Sequence, residues 1–513
     1  METDNNRGVN EIIYERTKRM KMYQKGLMAM LAFVTVGGLM ARAEAPQDYA
    51  QTPAAHWHDI DNDFMKAFHN PMDGLEMGLD LRLREVYASN MFSFNDDYGS
   101  TANYNQYHWQ RYRLRWSTKW ALSEDVDFNT RLTWEFWGHC LPDNSFNPFF
   151  SEKNYDFDEA VFDHFNIQWR NALGMPLTLT FGRQDIILGT GWLVLDGTPA
   201  DGSRTIYFDA IRGQYQVSDT GKLEMIYILQ YDDESRWIPP INGGAVENRR
   251  HVTQKQDEQG LILYYTDQLN EQTSYDAYYM YKRERNSKWN QFMGGTAVAD
   301  GDINVFGGRL FGSLDENWSY SAEGAYQFGR YGASGSDSVD MKALGANTKL
   351  MYSFNDDMKS EVHVGWEFLS GDDPSTSKNE QFNTMWGDWP QYQRGGDLQS
   401  YMWTFEGNLG EVSNLQRLGF GHSFKPSDVW TIATDYNLFW ADENTFSSPR
   451  NGLNFSSSDS KFRGHMLTGL ATYQCCKKFK TQFLIDYFLP GNYYADPSSD
   501  NAFFARINME WTF

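Results

Sequence analysis

Residues 75–84 read LEMGLDLRLR. Leu75, Met77, Leu79, Leu81 and Leu83 alternate with Glu76, Gly78, Asp80, Arg82 and Arg84, a period of two that belongs to a strand with one apolar and one charged face. The same alternation returns downstream. Tyr112, Leu114, Trp116 and Trp120 alternate with Arg111, Arg113, Arg115, Ser117 and Lys119, and Phe128, Leu132, Trp134 and Phe136 with Asp127, Asn129, Arg131 and Glu135. Strands of about ten residues with tryptophan on one face and arginine on the other fit a barrel that shows its apolar face to lipid and its charged face to an aqueous interior.

The composition agrees. The chain has 513 residues, 16% of them aromatic, with a mean hydropathy of −0.63. That polarity excludes a bundle of transmembrane helices, each of which needs about 20 apolar residues in a row. An aromatic-rich chain of low hydropathy is what a barrel with aromatic girdles and a polar lumen requires. The net charge of −23 argues against nucleic acid as a partner.

Connection lengths give the topology. Short connections read at 121–125, 171–176, 218–222, 267–272, 312–318, 354–359, 424–429 and 474–479. They alternate with long polar ones at 88–105, 138–157, 189–203, 231–257, 286–302, 329–341, 370–412, 441–461 and 491–501. Short periplasmic turns facing long external loops are the barrel pattern. Residues 398–409 also read as a strand, but an even total requires them to be an excursion within the seventh loop. The expected fold is therefore an all-β, antiparallel transmembrane barrel of about 18 strands over residues 74–513.

The other end of the chain reads as an export signal. Lys18, Arg19, Lys21 and Lys25 precede the apolar run 26–40, which gives way to Ala41, Ala43 and Ala45 at the spacing of a cleavage site. Residues 1–45 are expected to be removed, with translation starting at Met1, Met20 or Met22, and residues 46–73 to form a periplasmic linker. At the opposite end Phe503, Ala505, Ile507, Met509, Trp511 and Phe513 form one face of a strand that finishes on the last residue. Phe513 is expected to serve as the mark read by the barrel-insertion machinery of a bacterial outer membrane.

Several ordered fragments carry a family likeness. LTLTFGRQD at 177–185 with IYFDAIR at 206–212, AEGAYQFG at 322–329, SGDDP at 370–374, FNTMW at 382–386, DYNLFW at 435–440 and FLPG at 488–491 resemble, in that order, the alginate export porin family. The resemblance spans roughly residues 75–513. It implies an eighteen-stranded monomeric barrel passing a polysaccharide, or a smaller solute in divergent members. FNTMW lacks the usual proline of that family, and a Trp-rich stretch follows it.

The candidate functional surface is the lumen. Strand phase turns Arg82, Arg84, Arg111, Arg113, Arg115, Arg131, Arg212 and Arg506 inward. A ladder of arginines suits a carboxylate-bearing solute that must bind weakly at many points. The alternative is structural pairing with Glu76, Asp80, Asp127 and Glu135. Arg183 stands in the lipid-facing phase of Leu177, Leu179 and Phe181, so either a bulge at Gly182 turns it inward or it sits above the apolar band. The resemblance favours the inward position for Arg183, with Asp185 nearby.

Catalysis and metal binding find little support. His56, His58, Asp59, Asp61 and Asp63 crowd a linker with no scaffold, and Asp372 with Asp373 offers too few oxygens for Ca²⁺. His363 and Glu367, four apart on one strand, stand about 13 Å apart. The chain reads as a non-enzyme without a cofactor or metal: a passive outer-membrane channel for a hydrophilic, anionic solute or polysaccharide. A non-selective porin and a surface adhesin or assembly barrel are the alternatives. Cys140 is expected outside, and Cys475 and Cys476 at a periplasmic turn.

Overall fold

The computed structural model describes residues 63–91, 93–97, 105–141, 160–195, 207–231, 238–239, 241, 258–284, 301–331, 339–387, 413–444, 453–456 and 460–513. The signal, most of the linker, His56–Asp61 and residues 398–409 lie outside them.

Eighteen strands follow one short helix, α1 (Asp63–His69). They are β1 (Leu75–Ser89), β2 (Gln106–Ala121), β3 (Val126–Leu141), β4 (Ala160–Trp169), β5 (Leu177–Gln184) and β6 (Phe208–Gln216). Next come β7 (Lys222–Gln230), β8 (Glu258–Asn270), β9 (Thr273–Glu284), β10 (Gly301–Ser313), β11 (Trp318–Tyr331) and β12 (Val339–Ser353). The circuit ends with β13 (Glu361–Leu369), β14 (Leu415–Ser427), β15 (Trp430–Trp440), β16 (Phe462–Cys476), β17 (Phe479–Pro490) and β18 (Ala502–Thr512). Every strand pairs antiparallel with its sequence neighbours, and β18 returns to β1. The sheet is a closed barrel, and its strand count and connection pattern agree with the sequence reading.

Closure has a physical cause. A strand edge inside hydrocarbon would leave each backbone N–H and C=O without a partner, at several kcal/mol apiece. The last residue completes the seam: Phe513 N–H donates to the Leu79 carbonyl at 2.8 Å, and Leu79 N–H donates to the Phe513 carbonyl at 3.2 Å. Below this point β1 runs on past the end of β18. There α1 covers the edge, with His69 Nδ1 2.8 Å from the Met77 carbonyl oxygen. α1 falls within the segment read as an unstructured linker. Its seven residues gave too short a pattern to read.

Alternation sets the two faces. Along β8, Leu261 and Leu263 are exposed while Ile262 and Tyr264 are buried, and along β18 Ile507 is exposed between buried Arg506 and Asn508. The outward set, including Trp116, Phe306, Leu344 and Phe420, is the lipid face.

The barrel interior is not uniformly polar. Ile226, Ile228, Ile262, Met280, Ile303, Val305, Met341 and Ala343 face inward on β7–β12 and are buried. They form one apolar cluster with Ile186, Leu188, Leu193 and Val194 after β5, and with Phe382, Met385 and Trp386 after β13. Both connections therefore fold into the barrel mouth, where the sequence reading had placed polar external loops. Across the barrel Val86, Ala88, Trp109, Phe439, Phe488 and Phe504 join Met91, Phe94, Tyr493 and Tyr494 from two further connections in the same way.

Cys475 and Cys476 end β16 at a short turn, both exposed, their sulfurs 3.3 Å apart. Cys140 belongs to the opposite, external end of β3. The membrane band of about 25 Å lies between them, far beyond the reach of a disulfide. Peptide mapping of the non-reduced protein is expected to show no Cys140–Cys475 or Cys140–Cys476 bridge within a chain. Deleting Phe513 should lower the yield of heat-modifiable barrel well below that of a Ser457 deletion, as a semi-native gel would measure.

Candidate functional site in the lumen

The arginine rows of β1, β2 and β3 face the lumen. Register places Arg82 directly opposite Arg113 and Arg84 directly opposite Arg111, with Asp80 opposite Arg115. Like charges in cross-strand register repel and cost stability, so the arrangement needs an offsetting interaction. Part of it comes from neighbouring carboxylates and amides. Arg111 Nη2 donates to Glu135 Oε1 at 3.2 Å, Arg82 stands 3.7 Å from the same oxygen, and Arg84 Nε donates to Asn508 Oδ1 at 3.0 Å. Arg113 reaches Asp80 at 3.5 Å, and its Nε and Nη1 are buried with no hydrogen-bond partner among the described residues. Arg115 and Arg506 are buried in the same inward phase.

Arg131 is bound differently. Its Nε donates to Asp163 at 2.7 Å, and its two terminal nitrogens form a fork onto Asp185 at 2.9 Å each. His164 Nε2 also lies 2.7 Å from Asp185. Asp185 is the first residue after β5, so this clamp ties the root of an inward connection to the barrel wall. Arg212 faces inward too, with its Nε donating to Glu224 Oε2 at 2.7 Å. Bidentate geometry makes the Arg131–Asp185 pair strong, and Arg212 is closely paired with Glu224.

Arg183 does not join the lumen row. Gly182 has a left-handed φ of +114°, yet pairing runs unbroken through it, placing Arg183 opposite Phe165 and Asp209. Phe165 is exposed on the lipid face, and Asp209 lies between the buried, inward Phe208 and Ala210. Arg183 is therefore in outward phase near the external rim. It is sealed there by a 3.0 Å bond to Asp209, by the Phe162 carbonyl at 2.8 Å and by the Tyr207 ring 3.7 Å from its guanidinium carbon. The inward position that the resemblance favoured is corrected, and Asp185 serves Arg131 instead.

Facing this wall stands another of different character. In a closed cycle of eighteen, β1–β3 lie across the barrel from β10–β12. That far wall carries the two inward connections. Trp386 Nε1 donates to Glu258 Oε2 at 2.9 Å and Lys282 Nζ to the Met385 carbonyl at 2.6 Å. Gln327 exchanges two bonds with the Asn383 backbone at 2.6 and 2.8 Å. The connections also bond each other, Trp386 N–H to the Leu193 carbonyl at 3.0 Å and Leu195 N–H to the Trp386 carbonyl at 3.2 Å. Two wall glycines make the seats. A Cβ on Gly260 would lie 2.5 Å from the Trp386 ring, and one on Gly345 would lie 2.6 Å from the Phe382 ring. Phe382 in turn stacks on Trp192 at 5.5 Å.

The sequence reading missed this anchoring. The signal was present: MIYIL at 225–229, LILYY at 261–265 and YYMY at 278–281 are apolar without alternation, the mark of strands covered on both faces. His363 and Glu367 are each engaged across a strand, His363 with Asp435 at 2.9 Å and Glu367 with Arg417 at 2.5 Å. Asp372 accepts the Glu380 N–H and Asp373 the Ser375 N–H, so both carboxylates organise their loop.

Trp386→Ala should free the 370–387 connection, at a local cost of about 3–5 kcal/mol. Its expected mark is larger and noisier single-channel conductance than wild type. Gly260→Val, which fills the ring's seat, should act the same way.

Comparison with known proteins follows the same lines. The alginate export family model matches residues 73–502. No curated protein matches the chain. Among solved structures, Acinetobacter baumannii OccAB2 superposes with a TM-score of 0.51 at 8% identity, covering 85% of this chain and 98% of that one. A. baumannii OccAB3 gives 0.50 at 11% identity over 85% and 99%. Pseudomonas aeruginosa OccK2 (OpdF) gives 0.50 at 8% identity over 85% and 97%. At these identities the likeness to such outer-membrane porins concerns the fold.

Proposed function

The chain belongs to the alginate export family, outer-membrane channels of bacteria, and from that premise we propose that its solute is hydrophilic and anionic, a polysaccharide or a smaller acid. The observation that carries this reading is the register of β1 and β2. Two arginine–arginine pairs stand opposed in a lumen wall, and among the described residues Arg113 keeps two buried donors without a hydrogen-bond partner. A passing carboxylate adds negative charge beside those like charges and acceptors for the Arg113 guanidinium, alongside the Glu135, Asp80 and Glu510 carboxylates already on the wall. Arg82, Arg84, Arg111, Arg113 and Arg115 form the proposed binding ladder, with Arg506 beside it on β18. Arg131, Arg183 and Arg212 are assigned to the barrel's framework instead, because their carboxylate partners already satisfy them.

The opposite wall supports the proposal. Connections fixed by buried hydrogen bonds narrow the mouth from the β7–β12 side, and the ladder rows of β2 lie on the opposite wall. Outer-membrane lipid surrounds the barrel. The monomeric state, recognition of Phe513 by insertion machinery and removal of residues 1–45 belong to the same proposal. Among the described residues no side chains are grouped as a metal site, and the reading calls for no catalytic step.

A planar-bilayer experiment tests it. In a salt gradient the wild-type channel is expected to show an anion-selective reversal potential and concentration-dependent block by an acidic glycan. Arg113→Glu with Arg115→Glu should move the reversal potential toward cations and weaken the block at least tenfold. Cation selectivity in the wild-type channel, or a double variant indistinguishable from it, would reduce the ladder to a structural element.

A further inference from the structure

The outer surface of β9–β12 is layered in a way the channel function does not use. Cross-strand register aligns four outward rows. The row nearest the long external connections is Arg283–Asp302–Arg330–Asp340. Beneath it come Tyr281–Asn304–Phe328–Lys342, then Tyr279–Phe306–Tyr326–Leu344, then Ala277–Gly308–Gly324–Ala346. Their chain neighbours Lys282, Ile303, Gln327 and Met341 are buried inside the barrel, which fixes these rows as outward. The layers pass from charged, through amphipathic aromatic, to apolar, to flat.

The charge is local. Among the described strand residues, the exposed Arg and Lys side chains in outward phase at the external end are Arg283, Arg330 and Lys342, all within this arc. Arg183 is in the same phase but sealed. Asp302 accepts from Arg283 Nε at 2.7 Å and from Tyr281 Oη at 2.6 Å, so it orients that guanidinium. Three cations against Asp302 and Asp340 leave the arc positive. Phe306 lies 5.0 Å from Tyr279 and 5.9 Å from Phe328, ring to ring, forming a continuous apolar shelf below the charges.

We infer that this arc is a binding site for a phosphorylated, acylated lipid of the outer leaflet. Its phosphates lie on Arg283, Arg330 and Lys342, and an acyl chain lies over the Phe306–Tyr326 shelf. Arginine forks suit phosphate oxygens, and aromatic residues sit at the headgroup boundary of a membrane. The depth also fits. From Arg283 to Ala277 is about 20 Å along a strand, and a tilt of about 40° brings the flat row near the middle of a band about 25 Å tall. An acyl chain descending from a phosphate at the charged row reaches that level.

Native mass spectrometry of the full barrel, delipidated in mild detergent and offered lipid A in bisphosphorylated or fully dephosphorylated form, tests the site. The expected result is a one-to-one adduct at least tenfold more abundant with the phosphorylated lipid. Arg283→Ser, Arg330→Ser and Lys342→Ser together should abolish that preference while heat-modifiability and conductance stay as in wild type, because the three side chains lie outside the lumen. Equal adducts for the two lipids on wild type, or a preference that survives the triple change, would overturn the inference. Should the triple variant fail to fold, the wild-type comparison and Lys342→Ser alone decide, with at least a threefold loss expected from the single change. Displacement of the adduct by excess inorganic phosphate would assign a bare anion site and also overturn it.

Discussion

Closure of the backbone hydrogen-bond circuit is the constraint on which everything else in this molecule depends. Hydrocarbon offers no partner to an N–H or C=O, so the sheet has to return to its first strand. The reciprocal bonds between Leu79 and Phe513 are where it does so. Closure constrains the total stagger of the eighteen strands, and the apolar alternation with the short turns sets the register of each pair within it. Register in turn assigns each residue to lipid or lumen, because a slip of one position exchanges the two faces. The opposed arginines of β1 and β2 and the layered rows of β9–β12 are both consequences of that register.

The strands themselves were legible because lipid and water impose opposite demands on alternate residues. LEMGLDLRLR could hardly be anything but a half-charged strand, and the short connections at 121–125 or 354–359 mark real turns. What the sequence concealed is a second burial condition acting inside the barrel. Ile262 and Tyr264 alternate with Leu261 and Leu263, so both faces of β8 are apolar and periodicity carries no direction. A reading that sends apolar residues to lipid has no rule for such a strand. The missing partner, residues 382–386, lies more than a hundred positions downstream. Arg183 failed for the opposite reason. Its alternation left two alternatives, a bulge at Gly182 or a place above the apolar band, and the geometry follows the second, with Tyr207 covering the charge.

Charge in this protein has to be considered by compartment. The whole chain carries −23, but exposed charges are screened beyond about 8 Å at physiological salt. The groups that count for a solute are those on the lumen wall within that distance. There the arginines divide into two kinds. Arg131 and Arg212 are held in close, nearly saturated pairs that fix an inward connection and a strand pair. Arg82 and Arg113 stand 3.7 and 3.5 Å from their carboxylates, at the limit of an ion pair and opposite one another.

The two walls of the lumen also solve different mechanical problems. An inward connection is useful only if it stays put, since a loose one would block the passage at random. On the β7–β12 wall that rigidity comes from rings seated on glycines, Trp386 on Gly260 and Phe382 on Gly345, and from backbone groups of the segment bonded to Gln327 and Lys282. Larger residues at Gly260 and Gly345 would push the rings into the lumen. The arginine wall needs the reverse: long side chains from neighbouring strands, close enough for their fields to overlap at about 4.8 Å strand spacing. The closed barrel places the two half a circumference apart, with the ladder on β1–β3 and the glycine-seated rings on the strands facing it.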